Sequence, residues 1–149
     1  MDPAAQPNPQ PWHDRLDSSD TDPADTERFD RWLQTLVSYS ASDLLLVHGA
    51  PPCMRVDGEV RRLETAPLDS SEIEATVLPA LSASAHRLYR SQLIADSSYR
   101  ISGVGRFRIN LHREQSRAAA TVRVLPTKVP NLRDLNLPPS VESLARLPR

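Results

Sequence analysis

Two arginines, Arg108 and Arg123, are the side chains of this sequence best placed to do chemistry, and the chemistry open to them is holding a phosphate. They lie in Ile101-Ser-Gly-Val-Gly-Arg-Phe-Arg-Ile-Asn-Leu-His-Arg113 and Ala118-Ala-Ala-Thr-Val-Arg-Val-Leu-Pro126, which read as the two arms of a β-hairpin. Phe107, Ile109 and Leu111 alternate with Arg106, Arg108, Asn110 and His112, and Val122 and Val124 alternate with Thr121, Arg123 and Leu125. That period of two belongs to half-buried strands. The apolar residues of both arms share one side if Phe107 faces Val124, Ile109 faces Val122 and Leu111 faces Ala120, with the reversal near Gln115-Ser116. A slip of one residue would turn one arm's apolar set to water. The register sets Arg108 opposite Arg123. Like charges facing each other across a strand pair cost on the order of a few tenths to 1 kcal/mol unless an anion lies between them, and guanidinium forks match phosphate oxygens in geometry and charge. The competing reading is ordinary arginine on a wet face, solvated or paired with a carboxylate such as Glu114.

The other usual constellations are missing. His13, His48, His86 and His112 are scattered without ligand spacing, so no metal is expected. Glu72 and Glu74 suit a helix start, and Asp20 and Asp22 a solvated tail. Gly103-Val-Gly105 lacks the lysine and following helix of a phosphate-cradling loop and reads as a turn. No Gly-Lys-Ser/Thr occurs, so this chain does not bind and cleave a nucleotide by itself in that manner. Cys53 stands alone, which excludes an intrachain disulfide and a cysteine zinc site within one chain and suits a reducing compartment. With 18 basic against 19 acidic residues the net charge is −1, and a nucleic-acid surface would need a basic stripe with stacking aromatics, whereas Phe107 is expected to face inward. No nucleic-acid partner is expected. Nothing approaches the roughly 20 apolar residues of a membrane span, nor the apolar run of a signal peptide, so the expectation is a soluble, cytoplasmic protein.

The elements that must position the arginines follow from patterning. Residues 1–25, with Pro3, Pro7, Pro9, Pro11 and Pro23 among Asp, Ser, Gln and Thr, read as a disordered tail, in which Trp12 and Leu16 are isolated apolar residues. Phe29, Trp32, Leu33, Leu36 and Val37 recur at helical spacing, with Asp25 or Thr26 as the expected cap. Leu44-Leu-Leu-Val47 is a short continuous apolar run, read as a buried strand ended by Gly49 and Pro51-Pro52. Met54 and Val56, then Asp57-Gly58, then Val60 and Leu63 signal a hairpin. Ser71 and Glu74 are spaced as a capping box for a helix with Ile73, Val77 and Leu78, which Pro79 ends or kinks. A further helical stretch runs through Ala85, Leu88 and Tyr89, and a strand begins near Ser97. The order predicts an α+β domain with a mainly antiparallel sheet and flanking helices. After Pro126, Leu132, Leu135, Leu137, Val141 and Leu144 lie between prolines as short amphipathic turns, read as a helical linker whose apolar face expects a second domain.

Leu36-Val-Ser-Tyr-Ser-Ala-Ser-Asp-Leu-Leu-Leu46, Gly49-Ala-Pro-Pro52, Arg55-Val-Asp-Gly58, Gly103-Val-Gly-Arg-Phe-Arg-Ile-Asn110, Val122-Arg-Val-Leu-Pro126, Val129-Pro130 and Leu135-Asn-Leu-Pro-Pro139 together resemble the N-terminal domain of the PilT-like twitching-motility ATPases, the type IV pilus retraction motors of the type II/IV secretion ATPase superfamily. The match runs in order from about residue 29 to Arg149. It implies a tail over 1–25, a PAS-like domain over 26–126, and a linker over 127–149 toward a RecA-like ATPase domain. It further implies a homo-hexamer in which this domain lies over a neighbouring subunit's nucleotide pocket. Arg108 and Arg123 would reach the terminal phosphates, with Arg106 and Arg113 as further candidates for which a salt bridge is an equal reading. ATP and Mg would belong to the full-length motor, not to this chain, and the site would be cytoplasmic, peripheral to the inner-membrane pilus platform. Leu45 stands where the family usually has histidine, and Glu114-Gln-Ser-Arg117 replaces its common Gln-Arg-Gly turn. Two alternatives remain open: a Dot-type or other secretion ATPase, and a stand-alone PAS-like interaction or sensing module that never touches ATP.

Overall fold

The computed structural model describes residues 23–63, 66–132, 134–138 and 140–144. Helix α1 spans Pro23–Ser38, followed by strands β1 (Asp43–Val47), β2 (Cys53–Val56) and β3 (Glu59–Arg62). Helix α2 (Ser70–Val77) runs into a 3-10 turn at Leu78–Ala80, then come α3 (Ala83–Gln92), β4 (Ile94–Ile101), β5 (Gly105–Glu114), β6 (Arg117–Leu125) and the short α4 (Ser140–Leu144). All six strands form one antiparallel sheet in the order β3-β2-β1-β6-β5-β4. The α+β expectation holds. The first and last hairpins meet in the middle, where β1 pairs with β6.

The hairpin register is the one read from the alternation: Phe107 opposite Val124, Ile109 opposite Val122, Leu111 opposite Ala120 and Arg108 opposite Arg123. The chain reverses at Gln115 and Ser116, both in the left-handed region at φ 49° and 65°, the geometry of a two-residue turn whose twist matches that of the strands. Asp57 (φ 50°) and Gly58 (φ 86°) make the same kind of turn between β2 and β3.

Helices α1, α2 and α3 cover one sheet face. Phe29, Leu33, Leu36, Leu44, Leu46, Ile73, Val77, Phe107, Ile109, Leu111 and Val122 are buried there, and each such side chain contributes roughly 1.5–3 kcal/mol by leaving water. Phe29 packs on Tyr99 with ring centroids 5.9 Å apart, and the Tyr99 hydroxyl donates to Asp30 Oδ1 at 2.8 Å, tying α1 to β4. Burial first, then the Asp30 carboxylate, push the Tyr99 hydroxyl up to about 12.

Several local expectations shift. Helix α1 is described from Pro23, so Asp25 and Thr26, expected just ahead of it, fall within its span. Residues 1–22, with the tail reading and Trp12 and Leu16, lie outside the described residues, as does Arg149. The capping box is Asp69 with Glu72, two residues before the expected pair: Asp69 accepts from the Glu72 amide at 2.8 Å, and Glu72 accepts from the Asp69 amide at 2.9 Å. Ser71 donates its hydroxyl to the same Asp69 carboxylate at 2.6 Å. Strand β1 is apolar and fully buried on the helix side alone, at Leu44 and Leu46; on its other face Asp43 is buried but Val47 is 53% exposed. Strand β4 begins at Ile94, three residues before Ser97. Pro79 does end the regular helix, in the 3-10 turn. Beyond β6, Val129, Leu132, Leu135, Leu137 and Leu144 are exposed. No helix among the described residues is long and apolar enough to cross a membrane.

Candidate functional site

The sheet face away from the helices carries the arginines. One row crosses all six strands there: Val60, Arg55, Asp43, Arg123, Arg108 and Ser98 are successive register neighbours from β3 to β4. The start of β1 is held from both sides, since the Ser42 amide donates to the Arg55 carbonyl at 2.8 Å and the Ser42 carbonyl accepts from the Val124 amide at 3.0 Å. This fixes Asp43 between two arginine-bearing strands.

Asp43 organises that part of the row. Its carboxylate accepts from Arg123 Nε at 2.8 Å and from the Ser42 hydroxyl at 2.8 Å, and Arg55 Nε lies 3.6 Å away. Asp43 is buried, whereas the Arg123 side chain is 66% exposed. Burial alone would raise the Asp43 carboxyl, but the hydrogen bonds from Arg123 and Ser42 and the charges of Arg123 and Arg55 outweigh it and hold the group below the usual aspartate range. Arg108 leans the other way, to Asp96 Oδ1, with Nη2 and Nε both at 3.3 Å and both side chains more than half exposed. The facing arginines therefore share a face and a register position, yet each guanidinium turns outward to its own aspartate. The repulsion that suggested an external anion is relieved inside the chain, by Asp43 and Asp96 and not by Glu114.

The other two sequence candidates divide. Arg106 lies on the same open face, one row further along β5, opposite Arg100 on one side and Leu125 on the other. Arg113 has the parity of Phe107 and Leu111 and points to the helix side. There its Nη2 lies 2.6 Å from Glu74 Oε1 and its Nε donates to the same oxygen at 2.8 Å, while the Tyr89 hydroxyl donates to it at 2.5 Å. Arg113, Glu74 and Tyr89 thus join β5, α2 and α3, and the structure does not bring Arg113 to the other three arginines. Among the described residues no cluster of His, Cys, Asp and Glu could hold a metal ion. Sequence reasoning missed Asp43, Asp96 and Arg55. The one available signal for Asp43 was a charged residue heading an apolar strand with the opposite parity to Leu44 and Leu46.

No family model matches the sequence. The type IV pilus retraction ATPase PilT of Pseudomonas aeruginosa is 33% identical over 109 residues, which is 73% of this chain and 32% of the relative. The crystal structure of the pilus retraction motor PilT with bound ADP superposes with a TM-score of 0.65 at 28% identity, over 78% of this chain and 34% of that one. The homologues are PilT-like ATPases. The type IV pilus ATPase PilU of Pseudomonas aeruginosa is 28% identical over 117 residues, covering 78% of this chain and 31% of the relative. The Legionella pneumophila ATPase DotB shares the fold, with a TM-score of 0.59 at 24% identity over 78% of this chain and 33% of that one. The chain fits the N-terminal domain of a PilT-like ATPase and spans about a third of the length of PilT and PilU.

Proposed function

We propose that this chain is the N-terminal domain of a hexameric, ATP-driven motor for type IV pilus retraction. Arg108 and Arg123 contact the terminal phosphates of a nucleotide held by the RecA-like domain of a neighbouring subunit. ATP and Mg belong to that other domain, and the motor works on the cytoplasmic side, against the inner-membrane pilus platform. The observation that carries the reading is the placement of Arg108 and Arg123 in facing register on the uncovered sheet face, with side chains 65% and 66% exposed. The Arg108–Asp96 pair is exposed on both sides and contributes roughly 0–1 kcal/mol, and the Arg123 guanidinium is mostly exposed although its partner Asp43 is buried, so both guanidiniums can be exchanged onto a phosphate that offers more charge and a bidentate set of oxygens. Moving Arg123 does not strand Asp43, which keeps Ser42 and Arg55.

The exposed leucines after β6 support a following domain, since such side chains gain by being covered. Residues 126–139 would then be the connector on which this rigid sheet swings as nucleotide binds and leaves, turning turnover into movement. In the complete motor, Arg108→Ala or Arg123→Ala should lower ATP turnover by about tenfold or more, as expected on removing a donor aimed at transition-state charge, while the melting of the domain stays within a few degrees of wild type. Turnover unchanged in both variants would refute the assignment.

A further inference from the structure

The like-charge pairing of Arg108 with Arg123 recurs one row further along, without the compensation. Arg100 of β4 stands opposite Arg106 of β5 on the same open face, and both are exposed. Strand rise places this row about 7 Å from Arg108. Asp43 and Asp96 absorb the charge of the Arg108 row, but among the described residues neither Arg100 nor Arg106 forms an ion pair. Among the described residues the remaining register neighbour in the row is Leu125, and β4 is the sheet edge. Facing strand positions gain from opposite charges and lose from like ones, so two uncompensated arginines in register are a cost that a bound anion would remove.

The two side chains also border a concavity. An open depression of about 460 Å³ lies between the β4–β5 turn and the exit of β6, lined by Arg100, Ser102, Gly103, Arg106, Pro126 and Thr127 among others. Both rims offer hydroxyls, Ser102 on one side and Thr127 on the other, beside the two guanidiniums.

We infer that Arg100 and Arg106 form an oxyanion site that takes a phosphate group of a polyphosphate chain, either a nucleotide's or a free polyphosphate's. The site lies wholly on this chain and needs no second domain. It borders the Arg108 row but does not rest on the motor reading.

The test is a titration of the 149-residue chain with sodium tripolyphosphate, followed by amide NMR shifts of Ser102, Gly103, Val104 and Gly105. Saturable shifts in the millimolar range are expected. Arg100→Glu, which places a carboxylate opposite Arg106, should weaken binding by about tenfold or more, the ratio expected for losing a charge-assisted hydrogen bond, and should keep or raise the melting temperature. Arg106→Ser should weaken binding similarly, so the result does not depend on one variant. Arg90→Ser, on α3 across the sheet, should leave binding unchanged. Tighter binding of ATP than of tripolyphosphate assigns a nucleotide as the source, and equal or weaker binding assigns free polyphosphate. Absence of saturable shifts, or shifts that Arg100→Glu leaves intact or Arg90→Ser weakens equally, would overturn the site while leaving the turnover test of Arg108 and Arg123 untouched.

Discussion

Asp43→Asn tests how the arginine row is held. The substitution keeps the shape of the side chain but removes its charge, and its amide nitrogen replaces one of two oxygens that now accept, at 2.8 Å each, from Arg123 Nε and the Ser42 hydroxyl. A neutral hydrogen bond is worth about 1 kcal/mol net. The contribution of Arg123 falls in the range of about 0.2–1 kcal/mol because that side chain is mostly exposed. The expected loss at neutral pH is therefore about 1–2 kcal/mol, or roughly 4–8 °C in melting temperature for a domain of this size. The sign with pH follows from the direction of the shift. The Asp43 carboxyl is depressed in the fold, burial opposing and hydrogen bonds with Arg123 and Ser42 prevailing, so its contribution is complete above the unperturbed value of about 3.9 and is lost as pH falls through the folded value. Melting curves followed by circular dichroism from neutral to acid pH should show a gap between wild type and variant that closes in strong acid. Equal melting at neutral pH, or a gap that does not change in acid, would refute the assignment of Asp43 as the anchor of Arg123.

Replacing Gln115-Ser116 with Asn-Gly should stabilise the hairpin by about 1 kcal/mol, because two non-glycine residues occupy the left-handed region there; a melting temperature that does not rise would show that the turn is not strained. Tyr89→Phe removes the donor to Glu74 at 2.5 Å and the acceptor 3.3 Å from Arg113 Nε, and should cost about 1 kcal/mol. An unchanged denaturant midpoint would mean that the Arg113 to Glu74 contact holds α2 to β5 without help from the Tyr89 hydroxyl.

What the sequence made legible was set by range. The β5–β6 register could be read because two alternating arms flank a two-residue reversal, so matching apolar faces leaves one solution. The β1–β6 pairing could not, because Asp43 and Arg123 are 80 residues apart and nothing local says which strands of the two hairpins become neighbours. The anchor of Arg123 stayed hidden for that reason. Asp96 was missed because the start of β4 was placed at Ser97, which left it outside the strand whose alternation would have put it on the face of Arg108. Arg113 was decidable from parity with Leu111 alone, which sends it to the helix side. The capping box moved because Asp69, Ser70 and Ser71 all have oxygens able to cap, and only the backbone geometry at Asp69, φ −88° and ψ 174°, selects among them.

The two facing arginines are held unequally, and the inequality bears on how an arriving phosphate would take them. Arg108 and Asp96 are both largely exposed, so parting them costs little and leaves Asp96 in water. Arg123 rests on a carboxylate that is only 7% exposed, and a buried charge stripped of partners is expensive. That cost is limited because Arg55 and Ser42 stay with Asp43. Arg108 is thus the freer arm and Arg123 the positioned one, set by a strand start that is hydrogen-bonded on both sides. Removal of Asp43 would leave Arg123 in place along the chain but without the contact that aims it, which separates the aiming of the guanidinium from its presence.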